Sequence, residues 1–297
     1  MTPSSIYSGC ATLSVNATRE FAFFAFEPHG RPGTSTFGML NDNKWSAPRR
    51  EPQWPAIAMA CARSQPSANW IVVALGQAGG VWEFTPETAA EQVTTIPGDY
   101  LGLTRLANIE NAVWACGMGR TVLKREGDGS WIDMSAPTAS ADEGVIGFTA
   151  LSGVTPGEMV TVGWQGEIWL RKNNLWEAQQ TGTNANFNAV SVGPDGQIVA
   201  VGDKGAIVVG TRNQWAPLSV GVDFDLQGVS HFGAELFICS DDRLFRLEGA
   251  ALVEETRFAG GDKPRSCLNL IRGSLSLYSQ GESDIFRFSS GTWARII

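Results

Sequence analysis

The chain has 297 residues, 22 basic against 30 acidic, with a formal net charge of −8. A general binder of phosphate backbones needs a basic surface, so the acidic balance argues against nucleic acid as the partner. No run approaches the ~18 apolar residues of a membrane-spanning helix, and no membrane partner is expected.

Read from the amino terminus, Met1-Thr2-Pro3-Ser4-Ser5-Ile6-Tyr7 has neither the basic start nor the apolar core of a secretory leader. That predicts a cytoplasmic chain. An apolar run with small residues follows at 10–15, then a second at 21–26, and then the polar turn Asn41-Asp42-Asn43-Lys44-Trp45. The same order returns in the next stretch. A small-residue run at 56–62 precedes a Gly-rich break at Gly76, with Val93 where the tryptophan stood. The third unit has its run at 101–107, its break at Gly117 and the turn Gly127-Asp128-Gly129-Ser130-Trp131. The fourth has 148–154, Gly163 and Trp176; the fifth has 187–192, Gly202 and Trp215. In the sixth, 226–232 leads to Ser240 and then Leu252; in the seventh, 266–271 leads to Ser279 and Trp293.

Successive breaks lie 41, 46, 39, 38 and 39 residues apart. Each unit supplies four short strand-like segments joined by Gly, Asn, Asp, Ser and Pro turns. Seven such units predict an all-β fold, a β-propeller of seven four-stranded antiparallel blades, with six or eight as the alternatives. Residues 1–297 are then one propeller domain, with blades at 8–48, 56–95, 100–137, 147–182, 186–221, 225–258 and 264–297. The first and last units both hold four strands, leaving no spare strand to clasp the ring. The recurring tryptophan is expected to pack blade on blade, and Ala74, Ala115 and Ala200 are expected at the crowded inner edge.

The pattern Ala-Val-Gly-x-x-Gly-x-Ile with a later Trp is plainest at residues 200–207 with Trp215 and at 161–168 with Trp176. It resembles the repeats of the photosystem II assembly-factor-type and bacterial neuraminidase-type propellers. That resemblance implies blades and, as one alternative function, an assembly or stability factor. Full Asp-box repeats are absent, as are the Gly-His and Trp-Asp pairs of tryptophan–aspartate repeats.

Catalytic signatures are sparse. The three tyrosines and the missing Phe-Arg-Ile-Pro start speak against a sialidase. Five scattered cysteines and two histidines give neither a disulfide framework nor zinc spacing; buried thiols are the expectation, with no metal and no cofactor. Asp203, Asp241, Asp242 and Glu282 fall at equivalent turns of their blades, which places them on one face. As paired carboxylates they are the basis of a glycan-acting hydrolase or lyase, the alternative from the enzyme class. Trp164, at a turn tip, and Trp54, beside Arg49, Arg50 and Glu51, are the aromatic candidates for anchoring a partner.

No catalytic set is expected, so the chain reads as a non-enzyme, a protein-binding propeller that is a monomer apart from its partner. Trp164, Asp203, Asp241, Asp242 and Trp54 are the expected partner-binding residues. The most concrete version is a bacterial immunity protein that neutralises a basic toxin such as a nuclease, with opposite charge speeding capture.

Overall fold

Short runs of alternating and all-apolar residues, each ended by a turn residue, leave the chain little choice but antiparallel meanders. The computed structural model describes residues 6–16, 18–28, 31–41, 44–46, 52–63, 68–76, 78–98, 100, 102–127, 129–138, 146–211 and 214–297. It contains seven four-stranded sheets, each ordered as the chain runs. The first blade comprises Ile6–Asn16, Arg19–Glu27, Thr36–Asn41 and Lys44–Trp45; the last comprises Asn269–Arg272, Leu277–Gln280, Ile285–Ser289 and Thr292–Arg295. The fold is therefore the expected seven-bladed propeller. The three short 3-10 turns, such as Trp164–Gly166 and Asp203–Gly205, are the only helical pieces among the described residues.

The innermost strands pack in a closed cycle, each against the next, with Ile6–Asn16 meeting both Ala56–Ala62 and Asn269–Arg272. Among the described residues no strand is exchanged between the first and last blades. The ring closes instead through side chains: Ala22, Phe24, Phe26 and Leu40 form one buried cluster with Tyr278 and Ile285, and Phe24 meets Tyr278 edge-on at 6.1 Å. Glu20 adds a polar clasp, its carboxylate accepting the Leu275 backbone N–H at 3.0 Å.

A bulge near the start of several inner strands has a structural use. It skips one residue in the register with the second strand and turns that residue towards the neighbouring blade. Thr104 Oγ1 donates to the Phe148 carbonyl at 2.8 Å, Thr149 Oγ1 to that of Phe187 at 2.5 Å, and Asn188 Nδ2 to that of Leu226 at 3.1 Å. Each bond ties one inner strand to the next, where the blades are closest and few apolar atoms fit.

Further out, apolar surface does the work. Trp131, Trp176, Trp215 and Trp293 each pack into the cluster shared with the preceding blade, and Leu252 takes that place in the sixth. Val93, the other replacement, is 41% exposed. Two expectations need correction. Ala74, Ala115 and Ala200 are fully buried, yet they lie on the second strands, between blades, rather than at the inner edge. The seventh-blade counterpart of Ser240 is Gly281, not Ser279. Gly202, Ser240 and Gly281 each donate their N–H across the turn that follows, to Ala206, Arg243 and Asp284. Ser279 sits two residues inside its strand. The pattern slid because polar Gln280 stands at the register position that apolar Val201 and Cys239 hold in their strands.

Cys61, Cys116, Cys239 and Cys267 are free and buried, and burial pushes the Cys116 thiol up to about 12. The side chain of Cys10 lies outside the described residues.

Candidate functional site

An up-and-down meander sorts its loops. The turns joining second to third strands emerge on the same face as the blade-to-blade connections, here called the connection face; the other two sets of turns share the opposite, hairpin face. Trp164, Asp203, Asp241 and Asp242 sit in the second-to-third turns of blades four, five and six, and Trp54 in the connection between blades one and two. All five therefore belong to one face. Three adjacent blades carry the first four, and Trp54 is far round the ring.

The turns of blades four and five are built alike. Gln165 and Lys204 take left-handed backbone, φ 56° and 54°, followed by Gly166 and Gly205, where a side chain would strike the Thr183 and Val222 carbonyls. That close approach of turn to connection is why glycine recurs there. The next connection then braces each turn: Asn186 accepts the Gln165 N–H at 3.0 Å, and Asp225 accepts that of Lys204 at 2.8 Å.

The five residues differ in what they offer a partner. Trp164 is 40% exposed, a large ring held at a rigid turn tip. Asp203 is half-buried, and its two oxygens accept from Asn186 Nδ2 at 2.9 Å and Asn188 Nδ2 at 3.0 Å. Its carboxylate is a brace for the start of the inner strand. Asp241 is exposed and accepts from Gln227 Nε2 at 2.7 Å, while its carbonyl takes the Cys267 N–H at 2.8 Å. Asp242 is the most open, its side chain 65% exposed; it accepts from Arg243 Nε at 3.2 Å. The Arg243 guanidinium lies over Phe224 at 4.6 Å, fixing the cation that flanks it. Trp54 is half-buried, its ring laid over Gly76 and Gly80 and packed into the core of blades one and two. Arg49, Arg50 and Glu51 lie outside the described residues.

Sequence reasoning passed over Asp223 and Asp225, exposed in the connection between blades five and six. The signal was available, because a meander puts these connections beside the second-to-third turns. With Asp241, Asp242 and Glu282 they make an arc of five exposed carboxylates, interspersed with the cations Lys204, Arg243 and Arg265. Nearby charges are already paired: Arg295 with Asp262 and Lys263 with Glu254. Deeper, Arg257 grips Glu255 and Glu235. Burial works against ionising Glu255, but the Arg257 guanidinium and the Thr256 and Arg257 N–H groups outweigh it and hold its carboxyl at about 2.

On the hairpin face, Ser191 Oγ lies 2.9 Å from His231 Nδ1 and also accepts the His231 backbone N–H. The pair staples blade five to blade six. Burial lowers the histidine's proton affinity. Among the described residues no group of three His, Cys, Asp or Glu is gathered as a metal set.

No protein-family model matches the chain. A curated relative, "Immune protein Tsi7" of Pseudomonas aeruginosa, is 32% identical over 194 residues, which cover 64% of this chain and 63% of that protein. The chain thus spans less than two thirds of that relative's length. Among solved structures it resembles the crystal structure of the RRP9 WD40 repeats, with a TM-score of 0.67 at 11% identity, covering 94% of this chain and 88% of that one. At that identity the likeness concerns the fold.

Proposed function

We propose that this chain is an immunity protein: a non-enzymatic propeller that captures a toxin of bacterial competition in the cytoplasm and blocks it. The observation that carries this reading is the identity shared with a protein named as an immune protein. The connection face adds support of a different kind. Its arc of Asp223, Asp225, Asp241, Asp242 and Glu282 complements a basic partner such as a nuclease domain, and Trp164 beside it has the character of an anchor, a rigid exposed aromatic. The braced turns hold these groups without a partner, which reduces the ordering cost of binding.

The resemblance to assembly-factor and neuraminidase-type propellers rests on the blade repeat alone, and it adds no support for a second function. The experiment is protection of cells. Candidate toxins from the genes neighbouring this one are expressed with and without the full chain. The reading predicts restored growth and a 1:1 complex on co-purification. Growth arrest despite abundant chain, with no complex recovered, would overturn it.

A further inference from the structure

The propeller axis holds a cavity of about 730 Å³ walled by the inner strands. That is within the ~300–1,000 Å³ of small-molecule sites. Towards the connection face the inner strands begin with Leu103, Phe148, Phe187 and Leu226, which are buried between blades and do not line the cavity. Its mouth is on the hairpin face, at Glu110, Asn111, Val154 and Pro194.

Register identifies what stands at that end of the channel. In the first six blades the residue after the inner-strand bulge marks one common step of the ladder, and in the seventh that step is the first pair of its two inner strands. At this step stand Gly9, Ala58, Ala150, Ala189 and Gly228 in five blades. In the third blade the place is taken by Arg105, opposite Cys116, and in the seventh by Asn269, opposite Gln280. Two long polar side chains therefore enter a ring otherwise made of glycine and alanine, and both line the cavity. Among the described residues neither side chain has a hydrogen-bond or ion-pair partner. Burial lowers the proton affinity of Arg105, opposed by the nearby Cys116 and Cys239 sulfurs. A guanidinium does not shed its proton in a protein, so it remains a cation in a confined site facing thiols that burial keeps protonated. Such a charge is costly without a counter-ion.

The geometry points to a binding site for a small organic acid in this channel. Its carboxylate is held by the Arg105 guanidinium and the Asn269 amide. Its apolar body lies against Leu106, Leu151, Val190 and Leu270, which line the next step towards the mouth. The planar fork of arginine matches a carboxylate in two-point contact, and the apolar wall above it favours a hydrocarbon tail over a bare anion. The small residues of the other five blades pack between inner strands, where a side chain at Gly9 would strike Met59 and one at Gly228 would strike Cys239, so at this step the axis is left to Arg105 and Asn269.

The test is calorimetry on the full chain with benzoate, hexanoate and inorganic phosphate. Benzoate or hexanoate should bind saturably with 1:1 stoichiometry, and phosphate at least about tenfold more weakly. Arg105→Gln should weaken the organic acid about tenfold or more, and Asn269→Ala by a smaller factor. Arg105→Lys, which keeps the charge, should retain measurable binding and separates loss of the site from loss of the fold. Because the isolated chain is used, an acidic side chain of a partner protein is not the anion being read. Absence of saturable binding by either organic acid, equal affinity for phosphate, or wild-type affinity in folded Arg105→Gln would each overturn the assignment.

Discussion

The Glu83–Arg125 pair spans blades two and three and offers a measure of how the ring is held. Glu83 has 1% of its side chain exposed, and Arg125 has 15%. The contact is two-pronged, Nε to Oε1 at 2.5 Å and Nη2 to Oε2 at 2.9 Å, with Gln92 as a further donor. Removing one partner of a buried pair leaves the other charged and desolvated, which costs about 3–5 kcal/mol. Gln92 still solvates Glu83 in part, so Arg125→Ala should fall at the lower end, about 3 kcal/mol. A chain of this size loses about 2 °C per kcal/mol, so its melting temperature should drop by roughly 6 °C. The double variant Glu83→Gln/Arg125→Ala removes both charges and should recover most of the loss. Urea unfolding of the wild type, both single variants and the double variant gives the cycle. If Arg125→Ala lies within about 0.5 kcal/mol of wild type, or if the double variant costs the sum of the singles, the desolvation reasoning fails.

Two further outcomes follow from the same packing. Glu255 is held at about 2 by Arg257 and two backbone N–H groups, so its folded value lies below its unfolded one. The stability this supplies is full above about pH 4.5 and is lost as pH falls towards 2. Partial exposure of Arg257 screens it to about 1–2 kcal/mol. Denaturant midpoints from pH 6 to 2 should show this acid-side loss flattened in Glu255→Gln, and an unchanged slope would contradict it. Trp293 is fully buried, edge-on to Phe237 at 5.8 Å and tilted against Phe288 at 5.3 Å; Trp293→Ala should cost about 3–5 kcal/mol. Val93→Ala, at the same place in an exposed blade edge, should stay within about 0.5 kcal/mol. Equal losses in the two variants would remove the tryptophan from its packing role.

The period of the repeat was legible because every blade needs the same parts. A small-residue inner strand, a tight break and a large outer ring recur wherever a wedge must fill, so Gly163 with Trp176 and Gly202 with Trp215 reveal the architecture. Function was less legible. Asp203 and Asp241 look alike in sequence, yet one is half-buried with both oxygens bracing Asn186 and Asn188, and the other is exposed with one oxygen on Gln227. That difference depends on which connection comes to lie beside each turn. Trp54 is a similar case: only Gly76 and Gly80, 20 residues and more away in sequence, decide that its ring packs inward. Arg105 could have been noticed as the one cation at its step of the repeat. Its significance depends on closure of the ring, which places small residues opposite it.

Capture by the connection face is measured most directly as binding of this chain to the toxin it protects cells against in the growth experiment, with the acidic arc reversed. Asp241→Lys/Asp242→Lys should slow association and weaken affinity about tenfold or more, and wild-type association should slow with added salt. Wild-type kinetics in that folded double variant, insensitive to salt, would contradict capture by the connection face.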